Sequence, residues 1–185
     1  MKNLPKVLYL GFGLILISYL SLPNFDFPSP PPDSLQSNEP ADTEIPLRRA
    51  YFTNYTRQEV MLHYKRQFEK SSFLAIALPT YRLNYPPEEA QTIIRDQTRS
   101  TFLEEITHPF RESMFINGFE PKDPKDTIFI GGKLWRQKII VRYVPSGLTI
   151  RLAIGVLTLV LIPFVYALAV KNIKAFVSMW KGTHA

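Results

Sequence analysis

Histidines occur at three positions, His63, His108 and His184, and cysteine at none. Without a thiol, cysteine nucleophiles, disulfide frameworks and thiolate-bound zinc or iron-sulfur centres are excluded. Glu105-Ile106-Thr107-His108 has the Glu-x-x-His spacing that sets a carboxylate and an imidazole on one helix face, as in dinuclear carboxylate metal sites. Such a site needs a second copy and two more glutamates, and the carboxylate before His63 is Glu59, one position out of register. No metal or other cofactor is therefore expected, and ordinary helix-surface residues account for the match. Pairs drawn from Glu88, Glu89, Glu104, Glu105 and Glu112 contain the two carboxylates of glycoside cleavage, but exposed helix charge is the preferred reading of them. Lys70, Ser71 and Ser113 supply the residue types of a Ser-Lys hydrolase without a diagnostic spacing. Gly131-Gly132-Lys133 lacks the upstream glycine and downstream Ser/Thr of a phosphate-binding loop and reads as a hairpin turn.

The informative charges are basic. From Lys133 to Arg151 there is no acid, and strand alternation puts Arg136, Lys138 and Arg142 on one face with Leu134, Ile140 and Val144. Trp135, Ile139, Val141 and Tyr143 fall on the other, core-facing side. Lys133, Arg136, Lys138, Arg142 and Arg151 are thus expected to form a surface for a protein partner, an anionic lipid or an acidic polymer. A second basic group, Lys171, Lys174 and Lys181 with Trp180, reads as an inner-leaflet contact opposite the apolar face Ile173, Phe176, Val177; with no breaker after Val170 an extension of the membrane helix is preferred to a helix turned along the leaflet.

The elements that carry these residues are set by hydropathy. The 185 residues, with formal net charge +6 and 16 prolines, contain two apolar segments, 7–22 and 152–170. The second spans ~28 Å as a helix, close to a bilayer's hydrocarbon thickness, and reads as a transmembrane helix. Pro163 inside it frees a carbonyl and predicts a kink, tolerable in lipid where a neighbouring side chain or helix answers that group. The first is short, follows Lys2 and Lys6, and lacks a small-x-small cleavage pattern near Ser18, the layout of an uncleaved signal anchor. Neither span carries GxxxG, although Gly11 and Gly13 offer a notch. Flanking charge then predicts a two-pass protein of the cell membrane with both termini cytoplasmic and residues 23–147 extracytoplasmic; Arg142 and Arg151 run against this but weigh less beside a long translocated segment.

The expected organisation is a cytoplasmic N-terminus over 1–6, transmembrane helices over 7–22 and 148–170, a Pro-rich acidic linker over 23–47, a folded domain over 48–147 and a basic amphipathic cytoplasmic tail over 171–185. The linker composition predicts an extended spacer, in preference to a recognition peptide marked by Phe25, Phe27 and the PxxP match Pro28-Ser29-Pro30-Pro31. In the domain, Thr56 and Glu59 form a capping box, Tyr55 and Val60 a hydrophobic staple, and Val60, Met61, Tyr64 and Phe68 an apolar stripe. Residues 73–78, 81–85 and 114–119 read as strands, 127–130 and 134–144 as a hairpin, and Pro86-Pro87-Glu88-Glu89 as the start of a helix running to His108. The sum is an α+β domain, two helices on a mainly antiparallel sheet of about four strands, flanked by two transmembrane helices.

With no complete catalytic set, the functional expectation is a non-enzymatic, membrane-anchored extracytoplasmic interaction or scaffold module of a cell-envelope assembly. Its partners would be the lipid bilayer and another membrane or envelope protein, while compartment disfavours nucleic acid. The alternatives are an envelope hydrolase using carboxylates or a Ser-Lys pair, and a small sensor or accessory subunit.

Overall fold

A computed structural model describes residues 4–69, 78–93 and 101–183, the side chains only as far as 179. Asn24–Ser146 form one compact unit, and Met1–Pro23 with Gly147–Ala185 form another.

The first unit is a mixed α+β domain on a six-stranded sheet. Its strands are β1 (Leu35–Gln36), β2 (Arg48–Thr53), β3 (Tyr81–Tyr85), β4 (Phe102–Thr107), β5 (Ser113–Phe119) and, after a short separate ribbon, β8 (Gln137–Val144). They lie in the order β1-β2-β8-β5-β4-β3 with every pairing antiparallel. Register aligns one apolar face: Tyr51 lies opposite Ile139, Ile116 opposite Val141, and Met114 opposite both Tyr143 and Ile106. Helix α3 (Arg57–Glu69) covers that face with Val60, Met61, Tyr64 and Phe68, all buried, each stabilising by ~1.5–3 kcal/mol. It starts at the expected capping box: Thr56 N–H donates to Glu59 Oε2 (2.7 Å) and Glu59 N–H to Thr56 Oγ1 (3.3 Å). The Thr56 N–H and, next, the Thr56 hydroxyl (2.8 Å), both donating to Glu59 Oε2, hold this exposed carboxyl below its ordinary range.

Three expectations are corrected. The helix expected from Pro86 to His108 is instead a short α4 (Pro87–Ile93) followed, beyond residues outside the description, by strand β4. Phe102, Glu104 and Ile106 share the α3 side, so the burial period is two, and the change of apolar face along this stretch marked the end of a helix. The strand expected over 134–144 breaks at Arg136, whose N–H donates to Asn54 Oδ1 (2.8 Å). The part before the break, β7 (Lys133–Trp135), pairs with β6 (Ile128–Ile130) in a separate two-stranded ribbon, turned by Gly131 and Gly132 at φ 63° and 74°. Residues 23–47, expected as a spacer, pack on the domain and add β1 and a four-residue turn of helix, α2 (Pro40–Thr43). Phe25 packs at a tilt against Phe68, Phe27 packs against the core, and Gln67 grips the Ser29 backbone, accepting its N–H (2.9 Å) and donating to its carbonyl (3.2 Å). Since α2 meets Lys138, which alternates with the core residue Ile139, helices lie on both faces of the sheet. The strand expected over 73–78 falls, apart from Leu78, outside the described residues.

The second unit pairs α1 (Leu4–Leu20) with α5 (Leu148–Thr183). Among the described residues only α5 is long and apolar enough to cross a membrane; α1, at 17 residues, is shorter, so one strong span candidate stands where two were expected. The helices run antiparallel: Gly13 meets Leu159, and Gly155 meets Leu20 so closely that a Cβ would lie 2.5 Å from its Cδ1. These glycines make a small-residue interface. Pro163 has no N–H to give the carbonyl of Leu159, and the Tyr9 hydroxyl donates to that oxygen instead. Beyond residue 170 the helix continues unbroken through the segment expected as a tail.

Candidate interaction surface

The five basic residues expected on one surface are not brought together. Lys138 turns toward α2, where its ammonium pairs with Glu39 (2.6 Å) and with the buried Asp42 (2.7 Å), and Asp42 also accepts the Ser37 hydroxyl (2.6 Å). Burial alone would lower Lys138, but hydrogen bonds to Asp42 and Glu39 outweigh it and hold the ammonium above its ordinary range. The Ser37–Asp42–Lys138 group is therefore poor at Ser-Lys chemistry, because its lysine keeps its proton. Arg136 pairs with Glu120 (2.9 Å), and the Lys133 ammonium lies 4.4 Å above the Trp135 ring. Arg142 is exposed at the far end of β8, opposite Arg48 on one side and Phe115 on the other. Arg151 belongs to the helical unit; it is buried, and its Nη2 donates to the Leu22 carbonyl just past the end of α1 (3.0 Å), a favourable place for a cation. Lys171 and Lys174 are exposed on α5, Trp180 and Lys181 fall in its last turns, and His184, Lys70 and Ser71 lie outside the described residues.

Glu105 and His108 do not form a metal pair. The Glu105 carboxylate accepts the Tyr85 hydroxyl, and burial together with this contact pushes the Tyr85 phenol up to about 12. His108 is fully buried, stacks on Phe68 (4.2 Å) and Phe25 (5.4 Å), and sets Nδ1 3.0 Å from the Pro79 carbonyl and Nε2 2.9 Å from that of Phe68. Burial pushes the imidazole below its ordinary value, against the opposing pull of the two carbonyls and Glu112. A depressed folded value means that the unfolded chain takes up the proton first as pH falls below about 6.5. Stability should therefore decline from about pH 7 to about pH 5.5, and His108→Gln should flatten that decline, read from urea midpoints across the range. A wild-type midpoint that rises on acidification over this window would mean that the two carbonyls hold an imidazolium.

Two of the basic residues lie at the β6–β7 ribbon: Lys133 opens β7 and Arg136 follows its last residue. There an open cleft of about 280 Å³ is lined by Asn54, Pro121, Ile128, Leu134, Trp135 and Arg136. The buried Trp135 donates its indole N–H to the Ile130 carbonyl (3.1 Å), which fixes the apolar side of the cleft. On the ribbon Phe129 pairs with Leu134, and the two side chains remain 68% and 57% exposed. Sequence reasoning found the hairpin and its lysine, but not the cleft, because Asn54 and Pro121 arrive from distant parts of the chain. No protein-family model, no curated protein and no solved structure matches this chain.

Proposed function

We propose that the chain is a two-pass membrane protein whose α+β domain acts outside the cytoplasm as an interaction module. The observation that carries the module reading is the β6–β7 ribbon, with Phe129 and Leu134 turned to solvent beside the cleft. Folding gains little from two large apolar side chains left in water, whereas an interface gains their burial. Lys138, at the ribbon end of β8, is by contrast committed to internal pairs with Glu39 and Asp42.

The two-pass topology is supported by the α1–α5 pair. The tyrosine answering the proline-freed carbonyl removes an unmet backbone acceptor that hydrocarbon would penalise. The antiparallel pairing puts Lys6 of α1 near the same end as Lys171 and Lys174 of α5, the charge pattern of a cytoplasmic side. The partner is a protein of the same membrane or envelope presenting an apolar side chain beside a carboxylate.

A photo-crosslinking residue placed at Phe129 in the full-length chain, activated in its native membrane, should give one discrete protein adduct. Adding Leu134→Ser and Lys133→Glu should abolish that adduct. Crosslinks to lipid alone, or a smear unaffected by the second substitutions, would defeat the module reading.

A further inference from the structure

At one end of the sheet four strands finish in a single row: Tyr81 of β3 pairs with Thr107 of β4, Thr107 with Ser113 of β5, and Ser113 with Val144 of β8. From Val144 only Pro145, Ser146 and Gly147 precede Leu148, the first residue of α5, a stretch of chain that spans at most ~14 Å. The other connection, at Asn24, reaches the same end, its side chain donating to the Ser146 carbonyl (2.9 Å).

The β4–β5 turn projects from this row, and Phe110 is its tip. Phe110 has φ 58°, a conformation that favours glycine, and is 76% exposed. The turn is held firmly: His108 N–H donates to the Glu112 carbonyl (3.0 Å), Arg111 N–H to the His108 carbonyl (2.9 Å), and the Arg111 and Glu112 side chains form a fully buried ion pair (2.8 Å). A bulky apolar residue pinned outward in a strained conformation adds nothing to the core, and strain of this kind collects where a chain touches something else. Tyr81, 63% exposed, offers a second aromatic in the same row. The nearby charge is Arg142 beside the partly exposed Arg48, with the exposed Asp26 next to Phe25 and the partly exposed Glu69, which pairs with Lys65, accepting the Thr80 hydroxyl beside Tyr81 (2.9 Å).

We propose that the Pro109–Phe110 turn, together with Tyr81, inserts into the boundary between headgroups and acyl chains of the leaflet that α5 enters, with Arg142 and Arg48 at the headgroups. Aromatic side chains favour that depth, and each cation gains from an anionic surface. The proposal rests on α5 crossing the bilayer and goes beyond the partner-binding reading, whose ribbon lies at the opposite end of β8, ~23 Å along the strand.

The absence of cysteine allows one label per variant. Phe110→Cys, Tyr81→Cys, Phe129→Cys and Val160→Cys in the full-length chain, each carrying a small fluorophore, would be reconstituted in vesicles of phosphatidylcholine and phosphatidylglycerol. Quenching would be read with nitroxides carried on the lipid headgroup or deep in the acyl chain. The expected result is strong acyl-chain quenching at 160, headgroup quenching at 110 and 81, and none at 129. Headgroup quenching at 81 should fall when Phe110→Asp is added. An unquenched 110 beside a quenched 160 overturns the insertion while leaving the span intact. An unquenched 160 removes the span itself and the insertion with it. Equal quenching at 110 and 129, or no response at 81 to Phe110→Asp, overturns the assignment to this turn.

Discussion

Gly118→Ala should destabilise the domain by about 3 kcal/mol, a large effect for one methyl group. Gly118 lies opposite Phe102 in the β4–β5 register, and a Cβ there would sit 2.1, 2.3 and 2.9 Å from three atoms of the Phe102 ring. Real Cβ atoms do not approach so closely, so the ring or the strand must move. The ring has little freedom, because it is buried in the core cluster with the Arg57 guanidinium 5.1 Å from its centroid. Backbone strain does not enter, since Gly118 is not among the residues of positive φ. The smaller side chain of Phe102→Leu should therefore recover part of the loss when combined with Gly118→Ala, although alone it leaves a cavity and costs stability. Urea unfolding of the full-length chain in detergent, followed by near-ultraviolet dichroism, would measure the cycle. Strictly additive losses would show that the two residues do not share the space.

The same contact shows where sequence reading stops. Gly118 is a glycine inside an expected strand, which hints at a close approach, but its neighbour Phe102 lay in a stretch read as helix. Local signals were legible where they were complete within a few residues: the Thr56–Glu59 box that starts α3, the Val60–Phe68 stripe, the Gly131-Gly132 turn and the long apolar run of α5. The alternation of β8 was also legible, and Ile139, Val141 and Tyr143 do form its core side. What was lost depended on partners far along the chain. Residues 23–47 have a composition that builds no core alone, yet Phe25 finds Phe68, and Glu39 and Asp42 find Lys138. That last pairing also removed a lysine from the expected basic surface. Alternation locates a charge on a face; only the fold says whether a counter-ion meets it there.

The largest loss should come from stripping the partners of Glu104, a residue with no solvent exposure that the sequence offers only as one of several candidate carboxylates. It sits on the apolar side of β4 between Phe102 and Ile106, opposite Ile116. Arg57 Nε reaches Oε1 (2.6 Å), Arg82 Nε reaches Oε2, and Arg57 Nη2 also donates to Asn84 Oδ1 (2.8 Å), so the first residue of α3 is tied to two strands. The bond to Glu104 raises the Arg82 guanidinium above its ordinary value. Arg57→Met or Arg82→Met alone leaves one cation on the carboxylate, whereas the pair leaves a buried charge bare, at a cost of about 3–5 kcal/mol. Glu104→Met alone should cost less, because the arginine side chains are 41% and 42% exposed and can recover water. The triple variant should then be more stable than the double, since no charge remains to be desolvated and methionine fills the space. Urea midpoints for wild type and these five variants would test this ordering. A triple variant no more stable than the double would mean that the arginines hold the fold through their packing against Phe102 and Asn84 rather than by neutralising Glu104.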